Sequence, residues 1–272
     1  MYTLRSKVCT CTPDHHAVAN VSSAHDWFGL VRLKDQTARC MDGSLGAYYV
    51  AKAKSGSVHN SSWLIHLGNG GACSTKESCA SRLQNWDATS KSFPAHLDMS
   101  TIQPAGLVGE NELSDWNRVH IPCCSQDLWT GQRTIASNKS WGMYFSGHRI
   151  LAAVLANLNA QLGAATSIVL SGESAGGIGV WSNVDWLAAK YPHARVVGAP
   201  IGGASFLASP YYENGHSIDF QRHVWRARFE RWHSFVDPDC ALHHKGGQVC
   251  QPTLSLALDY LLCPQHCRAL NV

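Results

Sequence analysis

An α/β fold on a mostly parallel sheet, flanked by helices, is predicted by three features of the sequence. Two short apolar runs have strand length: Ser62-Trp63-Leu64-Ile65-His66-Leu67 and the β-branched Thr166–Leu170. Ile150, Leu151, Val154, Leu155, Leu158 and Leu162 recur at helical spacing within His148–Leu162. A second helical pattern, Ile178–Lys190, is followed by another strand-like run at Arg195–Gly198. Strand–helix–strand alternation of this kind implies parallel pairing.

Along the chain, residues 1–26 are polar and His-rich and are expected to form an irregular arm, with 27–272 as one domain. The Ser62–Leu67 strand runs into the turn Gly68-Asn69-Gly70-Gly71. Residues 74–117 read as mostly irregular, and Trp116–Ile121 as a short strand. Gly172–Gly177 is a tight turn, and Tyr191-Pro192 closes the last helix. The arginines at 222, 226, 228 and 231 read as a solvated helix face.

Composition narrows the class. A length of 272 residues with 45% hydrophobic content is enough for one full core. Only 15% of residues are charged and the net charge is +3, with no clustered basic face, which disfavours nucleic acid as a partner. No apolar run is long enough to span a membrane. Eleven cysteines favour an oxidising compartment, although the first residues show no apolar leader. Cys9-Thr10-Cys11, Cys123-Cys124 and Cys263…Cys267 do not form the paired framework of a zinc site, so no metal is expected.

The sharpest motif is Leu170-Ser171-Gly172-Glu173-Ser174-Ala175-Gly176-Gly177. It places G-x-S-x-G between a predicted strand and a predicted helix, the setting of a nucleophile elbow in an α/β-hydrolase-like fold. Gly172 and Gly176 leave room for a turn too tight for side chains. Strain there would lift the Ser174 hydroxyl clear of the sheet, and the Ala175 N–H would face a developing oxyanion. The competing reading is a structural or phosphate-binding turn, but the G-x-G-x-x-G spacing is absent. In such folds a loop after an earlier strand supplies further oxyanion N–H groups, and the Gly68–Gly71 turn is placed for that.

Four ordered stretches then carry a family likeness. They are Cys40-Met41-Asp42-Gly43-Ser44 with Tyr48-Tyr49, Trp63–Cys73 with Cys79 and Arg82, Trp116-Asn117-Arg118-Val119, and the elbow with Asn183 and Asp185. Together they resemble the pectin acetylesterase family, which includes the Notum carboxylesterases. The resemblance implies a secreted or cell-wall ester hydrolase that needs no cofactor or metal. Its substrate would be an O-acyl, foremost O-acetyl, ester on a polysaccharide such as pectin, or on a protein. It also implies Ser174 as nucleophile, an oxyanion hole from Gly70, Gly71 and Ala175, and a Cys73–Cys79 disulfide.

Two departures bear on substrate. The family's Glu in L-E-G-G is Gly68 here, and the bulky aromatic after that turn is replaced by Gly71-Ala72, small residues that would widen the site. The stretch after W-N-R-V reads Ile121-Pro122-Cys123-Cys124-Ser125-Gln126-Asp127-Leu128-Trp129-Thr130-Gly131 and alters the pocket floor.

A serine hydroxyl needs a histidine base oriented by a carboxylate, in the order Ser, Asp or Glu, His in this fold. No family-like segment with either residue follows Ser174. Asp237, Asp239 and Asp259 precede His266 in the right order, but they read as loop or helix residues, and His266 stands beside Cys267. His15-His16 and His243-His244 read as solvated loop residues, and His66 as a packed core residue. The C-terminal strands of the sheet are therefore expected to be missing. The alternative to an esterase is a catalytically inactive homologue or fragment that binds without turnover.

Overall fold

The structure is a computed structural model, and it describes residues 26–101, 106–109, 113–203, 211–213, 216–218 and 222–243. The arm at 1–25, and Asp259 and His266, lie outside the described residues.

The elements run β1 (Trp27–Arg32), β2 (Ala47–Ala51), β3 (Ser62–Leu67), α1 (Lys76–Arg82), β4 (His96–Asp98) and β5 (Asn117–Ile121). They continue with α2 (Gly147–Asn157), α3 (Asn159–Leu162), β6 (Ser167–Glu173), α4 (Ala175–Lys190) and β7 (Arg195–Ile201). A small hairpin of β8 (Tyr211–Glu213) and β9 (His216–Ile218), then α5 (Arg222–Trp232) and α6 (Pro238–His243), complete the described chain.

The main sheet has seven strands in the order β4-β1-β2-β5-β3-β6-β7. It is mixed. The β5-β3-β6-β7 half is parallel, as the strand–helix alternation requires. The β4-β1-β2 half joins through antiparallel pairings. Parallel strands need crossover helices, and α2 and α4 supply them. β1 and β2 are close in the chain and pair without one, which is why no strand–helix signal marked them.

Side chains alternate across the sheet. Trp63, Ile65, Leu67, Val119, Ile121, Ile168 and Leu170 face the main core, with Ile150, Leu151, Val154 and Leu155 of α2 and Val180, Val184 and Leu187 of α4. The opposite face carries Tyr49 and Leu64 in a smaller cluster with Phe28, Met99 and Val108. Every residue of β3 is buried, as expected of the central strand of a parallel half-sheet.

Three sequence expectations change in detail. The helix read over His148–Leu162 breaks at Leu158 into α2 and α3. The stretch 74–117 contains α1, a seven-residue helix of mostly polar composition. Thr75 and Ser78 cap α1 reciprocally, and a Cys73–Cys79 disulfide ties it to the turn after β3. The arginines of α5 are not all on a solvated face. Arg226 is exposed and pairs with Glu230, but Arg231 stacks 3.7 Å over the Trp141 ring and donates to the Lys139 carbonyl at 2.9 Å. Arg228 lies 5.0 Å from the Trp225 ring and 3.4 Å from the Ser74 hydroxyl. Those two side chains dock because the tryptophans offer flat apolar faces that an alkyl stem and a weakly hydrated guanidinium can cover.

Candidate active site

The site forms where β3 and β6 end side by side. Leu67 and Gly172 are register partners, so the turns that follow them are neighbours.

The turn after β6 is set by its own backbone. Ser174 is the N-cap of α4 and has φ 53° and ψ −112°. A non-glycine residue held there carries on the order of 1–3 kcal/mol of strain, which persists only when the surroundings fix it. The surroundings do so. Ser174 N–H donates to the Ile201 carbonyl at 2.9 Å, and Ile178 N–H donates to the Ser174 carbonyl at 3.1 Å. A Cβ on Gly172 would strike the Gly176 carbonyl, and one on Gly176 would strike the Leu67 carbonyl. The helix start therefore sits directly on the end of β3. Ser174 is exposed while Ala175, Gly176 and Gly177 are buried.

The turn after β3 is held from outside. Gly70 and Gly71 have φ of 155° and 73°. The indole N–H of Trp129 donates to the Gly68 carbonyl at 3.1 Å, and Arg82 Nη1 donates to the Gly70 carbonyl at 3.2 Å. Arg82 also meets Asp87 at 2.8 Å. The thiol of Cys123 lies beneath Gly70, where an added Cβ would come within 3.1 Å of the sulfur. Those bonds fix the Gly68–Asn69 and Gly70–Gly71 peptide planes, the second of which carries the Gly71 N–H. The N–H groups of Gly70 and Gly71 make no hydrogen bond among the described residues.

The segment after β5 supports this second turn. Gln126, Leu128 and Trp129 all have left-handed φ, at 56°, 55° and 64°. Asp127 is wholly buried and compensates by accepting from Ser125 Oγ at 2.7 Å, Gly147 N–H at 2.8 Å and Trp129 N–H at 3.2 Å. Burial outweighs these bonds and raises its pKa above the ordinary carboxylate value. A Cys40–Cys124 disulfide anchors the same segment to the loop before β2. Burial, reinforced by the Asp127 charge, pushes the Cys123 thiol up to about 12, so it is a packing group and not a nucleophile.

One rung below both turns lies a polar row. His66 pairs in register with His120 on one side and Ser171 on the other. His66 Nδ1 is 2.8 Å from Ser171 Oγ, and the two imidazoles stack at 5.5 Å. Burial pulls His66 down to about 4 and, with His66 beside it, His120 down to about 3. His66 is a buried core residue and His120 is half-buried, and both are in the neutral form at neutral pH.

No side chain among the described residues hydrogen-bonds the Ser174 hydroxyl. Asp237 stands at the start of α6, where its carbonyl accepts from Ala241 N–H at 3.0 Å. The side chains of Asp239 and His243 are not described, and His244 lies outside the described residues with His15 and His16. Ala175, next to the serine in the chain, belongs to one apolar cluster with Ala72, Leu128, Ile178 and Trp225. The widening expected at Gly71 does not follow. A Cβ there would point at Arg82 Nη2, 3.0 Å away, so the missing side chain makes room for the guanidinium.

The sequence patterns assign no individual role to Arg82, Asp127, Trp129 or Cys123. Arg82 meets the β3 turn at Gly70 from within α1. The others act across tens of residues, and only Gly131 and Gly147, whose Cβ atoms would strike Asp127, mark where that carboxylate sits. Among the described residues no group of three or more His, Cys, Asp or Glu side chains is placed to hold a metal ion, and no helix is long and apolar enough to cross a membrane.

A mixed sheet flanked by helices, with a strained serine between strand and helix, defines the α/β-hydrolase class. The pectinacetylesterase family profile matches residues 21–255, and the chain belongs to that family. It is 32% identical over 208 residues to the palmitoleoyl-protein carboxylesterase Notum of Schmidtea mediterranea, covering 72% of this chain and 38% of that one. It is 29% identical over 178 residues to pectin acetylesterase 5 of Arabidopsis thaliana, covering 65% and 41%. The solved structure of the Wnt deacylase Notum from Drosophila superposes with a TM-score of 0.68 at 26% identity, covering 83% of this chain and 66% of that one. The chain thus spans less than half the length of these two curated relatives.

Proposed function

We propose that this chain carries the nucleophile and oxyanion hole of a serine carboxylesterase. Ser174 attacks the carbonyl carbon of an O-acyl ester. The N–H groups of Gly70, Gly71 and Ala175 receive the oxyanion, the alcohol leaves, and water then releases the acid from the acyl-serine. The observation that carries this reading is the exposed, strained Ser174 beside a turn whose N–H groups are unbonded and whose carbonyls are tied back. Gly172 and Gly176 allow the elbow, and the Ala72–Trp225 cluster offers an apolar wall to the acyl group.

The class of substrate follows the family: an acyl, foremost acetyl, ester on a polysaccharide such as pectin or on a protein. The two disulfides fit an extracellular or cell-wall site of action. Residues 27–272 are read as one domain, and no cofactor is assigned a step. No described side chain is assigned as the triad histidine or carboxylate.

A second reading is a binding module that keeps the fold without turnover. It is favoured by one observation, the absence of a described base at the Ser174 hydroxyl. Labelling with a fluorophosphonate and mapping the adduct separates the two. Covalent modification of Ser174, lost in S174A, supports the esterase. An unlabelled but folded protein that still retains an acylated ligand supports the module.

A further inference from the structure

We propose that Asn60 is an N-glycosylation site, a modification that rests on the extracellular reading above. The chain carries Asn60-Ser61-Ser62, an N-x-S acceptor triplet. Asn60 lies in the turn before β3 and is exposed. The backbone of this turn is fixed at each residue. The His59 carbonyl accepts from Ser62 N–H at 2.9 Å, Asn60 from Asn117 Nδ2 at 2.8 Å, and Ser61 from Thr166 N–H at 3.0 Å. The Asn60 side-chain amide takes part in no hydrogen bond among the described residues, so it is displayed on the turn without a structural task there. Val58, two residues away, is 86% exposed, so the surface around Asn60 is open.

The second exposed triplet, Asn138-Lys139-Ser140, differs. Ser62 and Ser140 are both buried, but Ser140 is also locked in a reciprocal pair with Ser137, at 3.0 and 3.1 Å, so those residues already serve the turn.

Position completes the argument. Asn60 is at the start of β3 and the candidate oxyanion turn is at its end, about 20 Å along the strand. A glycan at Asn60 would project from the edge remote from Ser174 and leave the substrate path open. The transfer joins Asn60 Nδ2 to the anomeric carbon of a lipid-pyrophosphate-linked oligosaccharide. It breaks that carbon's bond to the phosphate oxygen, and lipid pyrophosphate and the amide proton leave.

The test is to express the full chain in eukaryotic cells behind a cleavable secretory leader and map peptides before and after peptide-N-glycosidase. The expected result is a glycan on Asn60, converted to Asp by the enzyme and lost in N60Q, with Ser174 labelling unchanged in N60Q. Bare Asn60 in protein whose Cys40–Cys124 and Cys73–Cys79 bonds are formed would overturn the proposal and leave the extracellular reading standing. Bare Asn60 together with alkylatable thiols at those four positions would overturn both.

Discussion

The two turns that end β3 and β6 face one site, yet they are built in opposite ways. The elbow after β6 is defined by neighbouring residues: two glycines, one strained serine and the first turn of α4 lie within six residues, and the outside contacts, Ile201 and Leu67, are backbone carbonyls of the adjoining strands. The turn after β3 is not. Its carbonyls are held by Trp129 and Arg82, and its underside rests on Cys123. A turn whose defining side chains are adjacent in sequence, and whose outside contacts are backbone, can be read from a motif. A turn made by contacts across the chain can be read only after folding.

Substitutions can pull this comparison apart. The largest effect is expected for S174A, which removes the proposed nucleophile. In an enzyme with an intact triad the loss of turnover is on the order of 10⁶-fold. Hydrolysis of a chromogenic acetate ester should vanish while the thermal unfolding temperature holds; retained turnover would sink the assignment. Next comes G176A. Its methyl group would be driven into the Leu67 carbonyl, so both turns must shift together. A loss of roughly 3 kcal/mol or more is expected in urea unfolding, at the upper end of overpacking costs.

Acid should weaken both turns at once, because the His66–His120–Ser171 rung lies beneath them. Each histidine has a folded pKa lowered from an unfolded value of about 6.5, so its stabilising neutral form is complete above that pH. Stability is lost as pH falls through the window from about 6.5 toward about 4 for His66 and about 3 for His120. The slope is at most about 1.4 kcal/mol per pH unit for each group. Chemical denaturation at stepped pH measures it, and H120N should flatten the acid limb. A further effect is expected for W129F, which deletes the indole donor to Gly68 and also shrinks a wholly buried ring. A stability loss of roughly 1–3 kcal/mol is predicted from the lost hydrogen bond and the void together. If the hydrogen bond aligns the oxyanion turn, kcat on the same ester should fall with KM little changed. An equal loss from a conservative change within α4 would show that the β3 turn is no more dependent on distant support than the elbow.

Much of this protein was determined by its sequence alone. The parallel half of the sheet follows from runs of strand length alternating with helical periodicity, and both signals are local. The elbow follows from Gly172, Ser174 and Gly176, because no side chain fits where those two glycines stand. His66 could be placed in the core because it stands inside the apolar run Trp63–Leu67. Tertiary structure decided the rest. β1 and β2 lack a crossover helix to announce them, and they gain their place through antiparallel pairing. The Cys40–Cys124 bond spans 84 residues and joins loops that only the sheet brings together. The small Gly71, read as space for substrate, proved to be space for Arg82. What a missing side chain makes room for depends on which atoms the rest of the fold delivers there, and no local pattern carries that information.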